Sequence, residues 1–159
     1  MNNPDFAEWF GDSRVADEHG NPRTVYHGTN ADVRAFGGVS GSKTGNVTTP
    51  LGHFFTAVPG EASRYATQWS NEGSNVMPVH LSIQNPYEMS YKDFDDMAMA
   101  VFRKEKTEEE ARAHSLSFRN DLIRQGHDGI FIMHRGRPLE YVAFHPHQIV
   151  SAISPRIPQ

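Results

Sequence analysis

Apolar positions along this chain fall into short runs of two different periods, separated by clusters of Gly, Pro, Asn and Asp. Near the start, Phe6, Trp9 and Phe10 recur at i, i+3 and i+4 and Gly11 follows. That spacing predicts a short amphipathic helix over 5–11 whose stripe packs on a core. A turn-forming cluster at 17–22 leads into Thr24-Val25-Tyr26-His27, a β-favouring run closed by Gly28. Gly52-His53-Phe54-Phe55-Thr56 reads as another strand. A helix from about Pro59 to Trp69 follows, because proline in a first helical turn forfeits no hydrogen bond. Over 76–83 the pattern alternates, with Val79, Leu81 and Ile83 on one face and Pro78, His80 and Ser82 on the other. This predicts a half-buried strand, placed near a sheet edge by Pro78 and ended by Asn85-Pro86.

The second half alternates between helix and strand signals. A helical stretch is expected at about 91–103. Thr107 with Glu110 three residues on is a capping box, opening a helix to about Gln125 that Gly126 stops. Its acidic first turn complements the helix dipole and needs no ligand to explain it. Two apolar strands follow at 130–133 and 140–144, joined by a turn over 134–138, and a last short strand is expected at 149–153. With no βαβ alternation and no internal repeat, the pattern predicts an α+β fold of two packed antiparallel sheets with inserted helices, one domain over 1–159.

Residues 37–50 are the most loop-like stretch and are expected to be flexible. Gly41-Ser42-Lys43-Thr44 has a superficial likeness to a phosphate-binding loop, but Ser42 stands where that loop needs glycine before its lysine. No buried strand precedes it, and Gly45 and Pro50 disfavour a helix after it. A surface loop that serves as a lid or binding loop is the better reading.

Composition narrows the chemistry. At 159 residues the chain can bury one core without staples. It has no cysteine, which removes disulfides, thiolate metal sites and a cysteine nucleophile. Lys and Arg number 15 against 19 Asp and Glu, net −4, with no basic stripe suited to tight duplex binding. Mean hydropathy is −0.59, and no apolar run reaches the ~18 residues of a membrane span. The polar N-terminus is unlike a secretory signal, so a cytoplasmic protein without membrane attachment is expected. There are nine histidines, but none lie at the His-x-x-x-His spacing that places two imidazoles on one helical face. His145-Pro146-His147 brackets a proline on a turn, so no metal is expected.

Three segments carry candidate chemistry. Tyr26-His27-Gly28-Thr29 places an imidazole beside a bare backbone that a ligand can approach closely. Phe54, with Tyr65 in the following helix, offers aromatic faces for a flat slot that suits a planar ring. Glu140 opens an otherwise apolar strand, where a carboxylate must sit at the rim or be paired. Singly, each has an ordinary structural explanation: a strand-end histidine, two core aromatics, an exposed glutamate at a strand start.

In this order and spacing the three segments resemble the ADP-ribosyltransferases of the diphtheria-toxin and poly-ADP-ribose polymerase class, which carry a His-Tyr-Glu triad in three strands. The sequence looks closest to the small transferase domains of phage and mobile-element polyvalent proteins. There, Trp9-Phe10-Gly11, Tyr26-His27-Gly28-Thr29 and Gly126-His127-Asp128-Gly129 have counterparts. The resemblance covers residues 5–153 and implies a split β-sandwich, NAD as co-substrate and a toxin- or effector-like context. It also implies that Glu140 and His27 are catalytic, with His27 bonding a ribose hydroxyl of NAD. Gly28, with Thr29 beside it, would hold the nicotinamide amide, and Phe54 and Tyr65 would stack on its ring. Two positions depart from the pattern: Phe54 replaces the triad tyrosine, and Ala62 stands where some relatives bind the carboxamide through serine.

Arginine-directed relatives carry an acidic or amide residue two positions before the glutamate; here it is Pro138, so an arginine acceptor is not implied. Transfer of one ADP-ribose to a macromolecule is the implied reaction, a protein being expected ahead of nucleic acid. The alternatives are an NAD glycohydrolase, with water as acceptor, and a catalytically impaired module that binds ADP-ribose or a partner. RNA 2′-phosphate transfer is more remote, since no array of basic phosphate ligands is evident. The 37–50 loop and the Arg135–Arg137 turn either shape the acceptor or phosphate side or are solvated connections.

Overall fold

The computed structural model describes residues 4–29, 47–58, 75–153 and 157. Helix α1 (Pro4–Phe10) buries Phe6 and Phe10, their rings stacked at 5.9 Å. Trp9 donates Nε1–H to the His147 carbonyl at 2.7 Å, so the predicted stripe is the docking face.

The strands form two sheets. Strands β1 (Val25–Thr29), β3 (Asn75–Leu81) and β7 (Ile149–Ser151) make one, in the order β1-β3-β7. The other runs β2-β6-β5-β4, from β2 (His53–Phe55), β6 (Arg137–Ala143), β5 (Gly129–His134) and β4 (Pro86–Ser90). Helices α2 (Tyr91–Ala98) and α3 (Glu108–Arg124) connect β4 to β5. Both bonds of the Thr107–Glu110 capping box are present, as the sequence predicts.

The four-stranded sheet is the middle layer and is apolar on both faces. Phe131, Tyr141 and Ala143 meet Val25, Val79, Leu81 and Ile149 of the other sheet. Ile130, Ile132, Val142 and Phe144 face Leu122 of α3, with Phe94 and Met97 of α2 packed alongside. Burial on both sides explains why these two strands read as continuous apolar runs rather than alternating ones. Each such fully buried side chain contributes about 1.5–3 kcal/mol.

The α+β architecture of two packed, mostly antiparallel sheets is the one the sequence predicts, with specific departures. Strand β3 is central, not near an edge. Pro78 is tolerated because it faces the end of β7, where its carbonyl accepts from Ala152 N at 3.0 Å and no return donor is needed. Strand β4 was not expected; it pairs in parallel with β5, and α2 and α3 supply the long crossover that a parallel pair requires. Gly28 lies inside β1, opposite Val76, rather than closing it. The β5–β6 connection is a two-residue turn in which Arg135 (φ 52°) and Gly136 (φ 77°) both take positive φ, the hairpin geometry that matches strand twist. Of the loop expected at 37–50, residues 37–46 lie outside the described residues. Its end is built in: Thr49–Leu51 form a 3-10 turn, Val47, Thr48 and Pro50 are buried, and Ser115 Oγ of α3 donates to Val47 O at 2.8 Å.

Candidate functional site

His27, Gly28 and Phe54 lie where the two sheets meet edge to edge, and Glu140 stands on β6, the strand beside β2. Tyr26 and Thr56 exchange backbone bonds, Tyr26 N to Thr56 O at 2.8 Å and Thr56 N to Tyr26 O at 3.0 Å, joining β1 to β2. Continuing this ladder would pair Gly28 with Phe54. It stops instead, because the acceptor due next, Phe54 O, lies 2.8 Å from His27 Nδ1. A carbonyl only accepts, so in the neutral ring Nδ1 carries the proton and Nε2 is the acceptor nitrogen. By strand alternation Gly28 turns its backbone N–H and C=O toward the same edge as Tyr26, away from β3. The sheets therefore part beside a glycine backbone.

Phe54 lies opposite Val142 of β6 and Glu140 stands two residues before Val142, so Phe54 and Glu140 share one face as diagonal neighbours. The Phe54 ring is half-buried and tilts against Phe94 of α2 at 5.9 Å, which bears out part of its reading as a core aromatic. His27 lies against the other face of β2, its ring 5.2 Å from that of Phe55, and meets Phe54 through the backbone carbonyl.

Glu140 is half-buried in the middle of β6, not at the start of a strand. Arg137 and Pro138, expected as the end of a turn, already pair with β5. Ile132 pairs with Glu140 and Met133 with Pro138, so Leu139 is an extra residue and forms a β-bulge immediately before Glu140. Such a bulge re-aims the side chain beside it. Tyr65 and Ala62 lie outside the described residues, as does the helix expected over 59–69. Thr29 ends β1 opposite Asn75.

The sequence reading gave no role to Thr56. It is buried, and besides joining β1 to β2 it donates Oγ1–H to Leu139 O at 3.5 Å and accepts from Val58 N at 3.2 Å. One side chain thus ties the bulge to the edge where the sheets part. The only signal in the sequence is a hydroxyl ending an aromatic strand.

A family model described as ADP-ribosyltransferase in polyvalent proteins matches residues 17–156. The chain belongs to this family. The match takes in His27, Gly28, Phe54, Tyr65 and Glu140 but not α1, so the resemblance seen in Trp9-Phe10-Gly11 falls outside it. No curated protein and no solved structure matches the chain. Among the described residues of this ADP-ribosyltransferase domain, no helix is long and apolar enough to cross a membrane.

Burial holds the pKa of His27 below its ordinary value, an effect partly offset by the bond to Phe54 O. Burial lowers His80 as well, where Nδ1 has no partner. An unfolded imidazole titrates near ~6.5. Below that pH the unfolded chain binds protons that the folded chain refuses, so stability falls as pH drops through about 6.5, until the folded values are reached. The urea midpoint is therefore expected to decrease from pH 7.5 to 5.5, and His80→Leu is expected to flatten that decrease. A midpoint that rises over the same interval contradicts the assignment.

Proposed function

We propose that the domain cleaves the nicotinamide–ribose bond of NAD and transfers a single ADP-ribose to a macromolecular acceptor. Family membership supplies the reaction class. The observation that carries the finer reading is the interrupted ladder, which presents a glycine backbone beside His27 and Phe54, with Glu140 on the next strand after Phe54.

A primary carboxamide has both a donor and an acceptor, and the N–H and C=O of Gly28 complement both without side-chain hindrance. Thr29, next along β1, borders that contact. Phe54 stacks on the nicotinamide ring, whose positive charge favours an aromatic face, and Tyr65 is proposed as the second ring. His27 Nε2 accepts from a ribose hydroxyl, its orientation fixed by the Nδ1–H bond to Phe54 O.

Breaking the C1′–N bond sends its electron pair to nicotinamide, which leaves neutral, and the ribose becomes oxocarbenium-like. The Glu140 carboxylate polarises the 2′-hydroxyl and stabilises that positive charge. The acceptor then bonds to C1′ and its proton passes to solvent. Loss of the tyrosine hydroxyl at Phe54 removes one polar contact but leaves the stacking surface.

The test is nicotinamide release from NAD by the purified domain. Phe54→Ala is expected to raise KM for NAD by about tenfold, and Phe54→Tyr far less. Equal values for the two variants would remove the stacking role. Quantitative recovery of free ADP-ribose, even with cell extract present, would make water the acceptor and the domain a glycohydrolase.

A further inference from the structure

The end of the four-stranded sheet nearest Glu140 carries a set of side chains that the reaction above does not use. His134 and Arg137 pair at the ends of β5 and β6, Tyr91 opens α2 directly after β4, which is the next strand, and Arg135 stands at the hairpin tip. All four are exposed, and the Tyr91 ring meets His134 edge-on at 5.7 Å. Arg135 and Arg137 form no ion pair among the described residues. The acidic groups of α2 are turned elsewhere: Asp95 and Asp96 pair with Arg103, and Asp93 lines a cleft of about 380 Å³ toward α3. Along β6, Arg137 stands three residues and one bulge from Glu140, roughly 7–10 Å. The bulged Leu139 is exposed at 38%, and so, at 54%, is Val58, which is linked to it through Thr56.

We infer that this rim holds the acceptor, and that the acceptor is single-stranded nucleic acid. This rests on the transferase reading above and departs from the expectation of a protein acceptor. Unpaired guanidinium groups beside an exposed aromatic ring match what a single strand offers, phosphates with bases that stack. An acidic peptide would use the arginines but leave Tyr91 without a function. A duplex would need a longer basic track than this chain carries. In the transfer, a base nitrogen or hydroxyl oxygen of the strand bonds to C1′ of the ribose. Nicotinamide leaves with the electron pair of the C1′–N bond, and the nucleophile's proton goes to solvent.

The test is fluorescence anisotropy of the whole domain with labelled oligonucleotides of ~12 nucleotides, DNA and RNA, in a salt series without NAD. At least one of the two is expected to bind with a salt-dependent affinity. The double variant Arg135→Asn/Arg137→Gln, chosen because Asn tolerates the positive φ of the turn, is expected to bind at least about tenfold more weakly, with a salt slope shallower by about 1.4. Tyr91→Ala is expected to weaken binding at least about fivefold with the slope unchanged. Nicotinamide release into water stays at the parent level in both variants.

No binding of either oligonucleotide, or unchanged binding by the double variant, overturns the inference. So does an acidic peptide of equal charge that binds as tightly, which would return the rim to a protein acceptor. Loss of NAD cleavage in the double variant with oligonucleotide affinity intact would assign the arginines to NAD instead. Absence of NAD cleavage in the parent domain would defeat the proposed reaction, while the oligonucleotide measurement would still report on the rim.

Discussion

Glu140→Gln is expected to slow NAD cleavage by roughly a thousandfold, the scale of removing one preorganised charge from a site where transition-state charge develops. The carboxylate acts only when the ribose becomes positive, so kcat falls while KM for NAD changes little. The amide keeps the shape of the side chain in mid-strand, between the Ile132 pairing and the Leu139 bulge. The thermal midpoint is accordingly expected to stay within about 2 °C of the parent. Steady-state nicotinamide release and a thermal melt on the same preparation check both halves. A variant that melts normally and turns over normally would take Glu140 out of the mechanism.

Gly52→Ala is expected to have the largest effect on stability. Gly52 is buried immediately before β2 at φ 149°, a conformation that side-chain-bearing residues rarely adopt. A Cβ there would lie 2.5 Å from Ala143 O and 3.0 Å from Val142 Cγ1. The first of these is backbone in the strand that β2 pairs with, so neither side can yield without breaking the register that sets Phe54 opposite Val142. Strain and overpacking together cost about 3 kcal/mol, a drop of about 10 °C in melting temperature. Gly20→Ala is the control: Gly20 also has positive φ (81°), but nothing lies within 4 Å of its added Cβ. Its expected cost is only about 1 kcal/mol. Equal melting temperatures for the two variants would show that the approach to Ala143 does not matter.

The features most legible in the sequence were those set by local chemistry. The Thr107–Glu110 cap, the Phe6/Trp9/Phe10 stripe and the stop at Gly126 all depend on residues within one or two helical turns, and all three are present. What was misread depends on partners distant in the chain. Pro78 suggests an edge strand because it lacks a donor, yet where β7 ends decides whether that donor is missed. Strand β4 is five residues long and begins at a proline whose sequence signal is the end of the previous strand. Glu140 reads as a strand start because Arg137-Pro138 has turn chemistry, whereas the bulge that admits Leu139 is a property of pairing with β5. Of the candidate site, the sequence yielded the residue types and the order of the strands. It could not show that His27 intercepts the carbonyl of Phe54, or that Thr56 ties three strands together, since both depend on the edge where two sheets part.

The most direct test of the central claim is mass spectrometry of a cell lysate incubated with isotope-labelled NAD and this domain, beside the Glu140→Gln variant. The account predicts labelled ADP-ribose on a macromolecule, with nicotinamide released in at least equal amount, and neither in the variant sample above the lysate background. NAD left untouched by the parent domain would contradict it.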